Sequence, residues 1–445
     1  MEFRYLPDLH VQSEKDDLLN FSPVAHRIVA AIKNSVPPFT WGIYGDWGSG
    51  KTSLMNLMRM EMESDLKKKK SQGPVLIPIW FDAWRYENEV NIIYPLFDAI
   101  RRDFTKRFPI DSDNQSFLQS FKRVATTSLL GLTDLALRAA TKAAFGDALK
   151  LKDVKESFDM VEAEADLETV FSKWTDQVTE VRDAFENFVE EYIKVVREQN
   201  SVTASREVYL AVFIDDLDRC LPDVAIEILE RIKNHLISKR CVFVLGINRN
   251  VVYQSIKKKY GDLQIDGRQH LEKIIQHSIG VPRPTKEAII NFGIERLKAL
   301  VVATKQPLDS YFEAFSKTLN DSYFTNPRKI KRIMNTYLNF VFNHIQVHKD
   351  INEFNLPTVV RLIILREYHQ DFYQLFREEG FDPFKLIAAR STDSTQKFSE
   401  QYAKRWEYLI PQLDRMKDLG NISPGNEKSL NDYRDAIDEL FGLED

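Results

Sequence analysis

"WGIYGDWGSGKTSL", Trp41 to Leu54, sets a glycine-dense loop between an apolar run and a helix-forming segment. Within it "GDWGSGKT" fits the spacing G-x-x-x-x-G-K-[ST], with Gly45, Gly50, Lys51 and Thr52 at the fixed positions. "FTWGIY", Phe39 to Tyr44, reads as a buried strand opened by Pro37-Pro38. "KTSLMNLMRMEMES" has helical composition, with Leu54, Leu57, Met58 and Met62 apolar. Strand, loop and helix in that order are what a phosphate cradle needs. Glycines let the backbone wrap closely at positive φ. Successive N–H groups then converge on an anion, and the following helix adds partial positive charge at its start. The expected cradle is Gly45, Asp46, Trp47, Gly48, Ser49, Gly50, Lys51, Thr52 and Ser53. Lys51 is expected to reach the β- and γ-phosphates and Thr52 to ligate Mg²⁺.

Such a loop needs a carboxylate partner, and "EVYLAVFIDDLDRC", Glu207 to Cys220, supplies one. Val208 to Ile214 is a continuous apolar run, as a parallel strand buried on both faces should be. It ends in Asp215-Asp216, at the strand edge where ligands bind in open α/β sheets. Asp215 is the expected Mg²⁺ holder, and Asp216 is placed to orient or deprotonate an attacking water. The plainer reading of Asp216 is a salt bridge to Arg219. A third strand, Cys241 to Leu245, ends near Asn248, which reads equally as a sensor of the γ-phosphate or as a turn asparagine. A further strand, within "VLIPIWFDAW" (Val75 to Trp84), ends in Asp82, to which the sequence assigns no role.

Bulk composition is that of an ordinary folded protein. The 445 residues are 43% hydrophobic and 29% charged, with 61 basic and 66 acidic side chains giving a net charge of −5. That balance does not point to nucleic acid or an anionic membrane, and the four lysines of "DLKKKKSQG" read as a solvated helix end. The two cysteines, Cys220 and Cys241, make neither a disulfide framework nor a zinc site, which suits a reducing, cytoplasmic location. "MEFRYLPDLH" lacks the regions of a signal peptide. The apolar segment Val124 to Phe145 carries Asp134, Arg138 and Lys142 on one helical face, so an amphipathic helix is expected and not a membrane span.

Taken together, "GDWGSGKTS", "IPIWFDAWRYENE", "VFIDDLDRC", "HLEKIIQHSIGVPRP" and "FTNPRKIKRIMNTY" resemble the KAP family of P-loop NTPases, close to the STAND group, over about residues 20 to 345. The resemblance implies ATP binding and hydrolysis with Mg²⁺, a RecA-like parallel sheet with a helical lid, and often self-assembly. It also implies service in phage defence for many relatives. By the same resemblance Arg328 of "NPRKIKR" is the candidate lid arginine, its plainer reading being a surface arginine. Lys273, Arg219, Arg249 and Arg268 are further cations that a neighbour's site could use. Relatives often carry aspartate where Asn248 stands, and often insert transmembrane hairpins where this chain has the charged stripe.

The expected class is therefore α/β: a RecA-like P-loop NTPase core with a parallel sheet, a helical insertion, and an α-helical lid and C-terminal region. The expected division is an extension (1–20), the core in two parts (21–110 and 200–284), an insertion (111–199), a lid (285–345) and a C-terminal helical region (346–445). In the insertion, Phe171, Trp174, Val178, Val181, Phe185, Phe188, Tyr192 and Val195 alternate by three and four along a helix expected over Leu167 to Gln199. That stripe suits packing within the chain or against a partner. "EAIINFGIERLKALVVAT" is expected to be helical throughout, "STDSTQ" (Ser391 to Gln396) to be a loop, and the tail to end in a short docking helix. No nuclease, protease or other second catalytic constellation is visible. The expected function is an ATP-hydrolysing switch or oligomerising ATPase in bacterial anti-phage defence, forming a homo-oligomer and working with a separate effector protein. The alternatives are a non-hydrolysing, ATP-dependent assembly module and a P-loop kinase of a small molecule.

Overall fold

A computed structural model of the chain describes residues 2–3, 7–68, 73–89, 93–108, 115–130, 167–199, 206–236, 238–260, 266–302, 309–321, 325–347, 354–379 and 430–440. Its strands are β1 (Glu2–Phe3), β2 (Phe39–Tyr44), β3 (Val75–Asp82), β4 (Val208–Asp215), β5 (Cys241–Ile247), β6 (His277–Gly280) and β7 (Val301–Val302). Five of them form one sheet in the order β3-β4-β5-β2-β6, and every pairing in it is parallel. The loop-bearing strand β2 and the acid-bearing strand β4 are thus separated by β5. Register sets Asp82 directly beside Asp215, so β3 and β4 deliver their terminal acids to the same edge.

Strand periodicity divides the core. Leu210, Val212 and Ile214 of β4 join one apolar cluster, while Ala211 and Phe213 join the other. On the second face lie α1 (Ser22–Lys33) and α2 (Lys51–Lys67). On the first lie α3 (Ile93–Arg107), α4 (Gln115–Leu130), α5 (Leu167–Gln199), α6 (Pro222–Asn234), α7 (Arg249–Tyr260) and α8 (Gly267–Glu272). Both faces of the sheet are therefore covered, which is why β4 and β5 read as unbroken apolar runs.

Helix α5 has the bounds its heptads predict. Its stripe turns inward: Val181, Phe185, Phe188, Tyr192 and Val195 are buried, with Phe188 stacked 5.0 Å from Phe117 and Tyr192 edge-on to Phe104 at 5.1 Å. For these positions the partner is the chain itself. The side chains of Phe171, Trp174 and Val178 lie outside the described residues, as do Asp134, Arg138 and Lys142.

A separate apolar cluster joins α9 (Lys286–Leu300), α10 (Asp309–Asp321), α11 (Pro327–Val347), α12 (Leu356–Tyr368), α13 (Gln370–Glu379) and α14 (Leu430–Leu440). The expected tail helix docks here: Tyr433 and Ile437 of α14 are buried, and the Tyr433 hydroxyl accepts from the Asn355 N–H at 2.8 Å. Ser391 to Gln396 lie outside the described residues. One expectation is corrected. The segment through Thr304 is not helical throughout, because α9 ends at Leu300 and the β-branched pair Val301–Val302 lies antiparallel to Glu2–Phe3. Among the described residues no helix is long and apolar enough to cross a membrane.

Candidate functional site

The carboxyl edge of β2, β3 and β4 opens into a cleft of about 520 Å³, bounded by the glycine loop, the terminal acids of β3 and β4, and the start of α11. The loop is tied down at both ends. Gly45 donates its N–H to the Ile247 carbonyl at 3.3 Å, and Ser49 donates to Asp46 at 3.1 Å. Gly48 and Gly50 stand at φ +79° and +102°, a region costly for other residues. Helix α2 begins at Lys51, directly below. The Ser49 hydroxyl is buried there without a hydrogen-bond partner.

Lys51 is nearly buried and folds back on its own loop, donating to the Gly45 carbonyl at 2.9 Å. It also pairs with Asp218 at 3.1 Å. Asp218 was not singled out from the sequence. It comes beside Lys51 after Asp216 adopts the left-handed conformation, φ +57°, and starts a short 3-10 turn over Leu217–Arg219. Asp216 itself pairs with Arg219 at 2.9 Å, and Arg219 lies over the Trp84 ring at 5.2 Å. The "FDAW" and "DDLDR" segments therefore meet in space.

Asp215 is 3% exposed. Burial raises its pKa, opposed by hydrogen bonding from the Thr52 side chain and the Asp216 backbone and by the charge of Lys51. Its Oδ1 has no hydrogen-bond partner, nor does Oδ1 of Asp82 one strand away. A buried, ionisable oxygen left unsatisfied beside a threonine hydroxyl is costly unless something cationic completes it. Hydroxyl and carboxylate oxygens form the hard donor set that Mg²⁺ takes, so the residues fit that ion. Asp216 has its pKa pushed up to about 6, first by burial and then by the charge of Asp215.

The lid side is cationic. Asn326 caps α11 through Oδ1, which accepts from the N–H groups of Arg328 and Lys329, and its Nδ2 donates to the Trp47 carbonyl at 2.9 Å. One side chain thus clasps lid to loop. A Cβ at Gly48 would come within 2.7 Å of Arg328 Cβ, so the approach depends on glycine. Arg328 lies over the Trp47 ring at 5.3 Å and lines the cleft with Lys331.

The structure brings together the whole loop, Asp215, Asp216 and Arg328. Asn248 it places elsewhere: its Oδ1 accepts from the N–H groups of Asn250 and Val251, capping α7, and it is not among the residues lining the cleft. That is the turn role of its two readings. Arg249 stacks on Tyr44 at 4.2 Å and Arg268 lies near Tyr253 at 5.8 Å, both outside the cleft lining. Sequence reading passed over Asp218, Asn326, Asp8 and Gly246. For Gly246 the reason is space, since a Cβ there would meet Asp215 Oδ1 at 2.7 Å and Met55 Sδ at 2.6 Å.

Among solved structures, the chain is similar to the ORC2 protein of Aeropyrum pernix in its ADPNP–ADP complexes. The TM-score is 0.36 at 13% identity, over 99% of this chain and 88% of that one. The ADP form of the same protein gives 0.35 at 12%. Among characterised proteins, it is 23% identical over 354 residues to the phage T7 exclusion protein of Escherichia coli K12. That match covers 74% of this chain and 42% of the relative, so the chain spans well under half of the relative's length. A family model described as the KAP family P-loop domain matches residues 21–341, most of the chain, and the chain belongs to that family.

Proposed function

We propose that the chain binds and hydrolyses ATP with Mg²⁺ in this cleft and acts as a nucleotide-dependent switch. The observation that carries the reading is the unsatisfied, buried Asp215 Oδ1 beside Thr52, at the foot of a loop with glycines at positive φ. The triphosphate takes the loop, with Lys51 leaving Asp218 to meet it. Thr52 and Asp215 would hold Mg²⁺, which would supply charge neutralisation to the phosphate oxygens. Asp216, with its pKa near 6, accepts a proton from water at neutral pH. Arg328 and Lys331 carry the lid's response to phosphate charge. An adjoining cavity of about 210 Å³, bordered by Leu9, Val11, Phe21 and Phe292 together with Asp16, Asp17, Arg296 and Lys331, offers both apolar and polar surface to the base. The name of the phage T7 exclusion protein supports a place in phage defence; self-assembly and a separate effector protein are the output that this reading proposes.

A second reading holds ATP for assembly without turnover. The Asp216–Arg219 pair favours it, because it engages the carboxylate that would activate water. Single-turnover hydrolysis of radiolabelled Mg-ATP separates the two. Under the first reading wild type releases phosphate and Asp216→Asn binds ATP without releasing it. Tight binding with no release by wild type, alone or in its oligomer, leaves only the second reading.

A further inference from the structure

Segment 7–12 borders the cleft and is fastened to two of the helices around it. Asp8 Oδ2 lies 2.5 Å from Arg328 Nε. Lys331 Nζ donates to the Leu9 carbonyl at 2.9 Å, and the Val11 N–H donates to the Ser53 hydroxyl at 3.2 Å. The segment therefore ties lid helix α11 to the first turn of α2. Leu9 and His10 border both the main cleft and its smaller neighbour, so a ligand spanning the two meets this segment.

The ion pair is close but poorly made. Arg328 Nε is buried and finds no aligned acceptor, although Asp8 stands beside it. Asp8 is about half exposed, at 55% of its side-chain surface. Attraction between a guanidinium and a solvated carboxylate is weak and screened by salt. A phosphate offers the same guanidinium more charge and more acceptor oxygens. The pattern repeats at the loop, where Asp218 holds Lys51. Both cations expected to face phosphate are thus matched with carboxylates of the chain itself.

We infer that Asp8 is a tethered competitor for nucleotide: its carboxylate occupies Arg328 until a triphosphate displaces it, and displacement unfastens segment 7–12 from the lid. The inference rests on the reading of the cleft as a triphosphate site. It makes segment 7–12 the part of the chain that reports nucleotide arrival. It also makes resting affinity lower than the cleft alone would give, since a tethered anion must first be expelled.

A double-mutant cycle on the full chain tests this, with Mg-ADPNP as the probe and binding read by calorimetry at low and high salt. Asp8→Asn is expected to tighten binding about five- to tenfold at low salt and less at high salt. In an Arg328→Gln background the same change is expected to have no effect. Amide hydrogen exchange over residues 7–12 should speed up on adding probe to wild type and be fast already in Asp8→Asn. Wild type that fails to bind the probe overturns the triphosphate reading and the inference with it. Binding by wild type that Asp8→Asn leaves unchanged overturns the inference alone. So does a tightening that persists in Arg328→Gln, which would be bulk electrostatics. Asp8→Glu, which keeps the charge, is expected to bind as wild type; if it tightens like Asp8→Asn, charge is not the cause and the inference falls.

Discussion

The two walls of the cleft carry opposite charge and are built in opposite ways. On one side, Asp82, Asp215 and Asp216 come from the carboxyl ends of neighbouring strands, fixed by parallel register and by one left-handed residue. On the other, Arg328 and Lys331 come from the first turns of a lid helix, held to the loop by Asn326 and to segment 7–12 by surface contacts. On the acidic wall β4 is buried and paired on both sides, with β3 and with β5. The basic wall sits at the edge of a different apolar cluster. A cleft with an acidic side and a basic side suits a cation on the first and a polyanion between, which is what a metal–nucleotide presents.

The comparison breaks most completely at Lys51, the loop cation paired with Asp218. Lys51→Ala is expected to weaken Mg-ATP binding by at least about 100-fold, or about 2.7 kcal/mol. It also leaves Asp218 buried beside Asp215 with no counter-ion, so thermal denaturation should show a drop in stability as well. If binding holds, the phosphates do not lie in this loop.

Asp216 sharpens the acidic wall. Its pKa is raised from 3.8 to about 6 in the folded protein. Folding therefore favours its protonated form, and that contribution is present below pH 4 and lost as pH rises through 6. Asp216→Asn, which removes the charge and tolerates the left-handed backbone, is expected to gain about 1–2 kcal/mol at pH 8 after allowance for partial exposure. The gain should vanish near pH 4 in denaturant titrations. In the same variant hydrolysis should fall by about 100-fold or more. For wild type, kcat/KM is expected to climb with unit slope up to about pH 6 and then level.

Smaller effects fall on the clasp and on the cap. Asn326→Ala loses the lid-to-loop bond and an N-cap together, and is expected to weaken nucleotide binding about threefold to tenfold with a stability loss of about 1 kcal/mol. Asn248→Ala is expected to cost about 1 kcal/mol of stability through its cap on α7, with turnover changed less than threefold. A larger turnover loss at unchanged stability would return Asn248 to the role of phosphate sensor.

What the sequence made legible is local. β2, its loop and α2 follow one another within a single stretch, and the apolar runs of β4 and β5 announce strands buried on both faces. The heptads of α5 are likewise contained in one helix. Strand β6 was missed because His277-Ser278-Ile279-Gly280 has neither an apolar run nor alternation; pairing with β2 alone makes it a strand. The helix expected through Thr304 stops at Leu300 because a partner from the far end of the chain competes for Val301 and Val302. Asp8 and Arg328 are far apart in sequence, and no spacing rule joins them. Asp218 stood in plain view inside "DDLDR", but only the turn at Asp216 reveals that the third acid, with the first, points to the lysine side of the cleft.

The central claim is that Thr52 and Asp215 form the cation half of a nucleotide site. It is tested most directly by measuring ATP affinity as a function of Mg²⁺ concentration in wild type and in Asp215→Asn, by calorimetry at constant ionic strength. The account predicts that wild type tightens with added Mg²⁺, while Asp215→Asn keeps its metal-free affinity and loses the Mg²⁺ dependence. Equal Mg²⁺ dependence in the two proteins would contradict it, because the unsatisfied oxygen of Asp215 would then have no cation to meet.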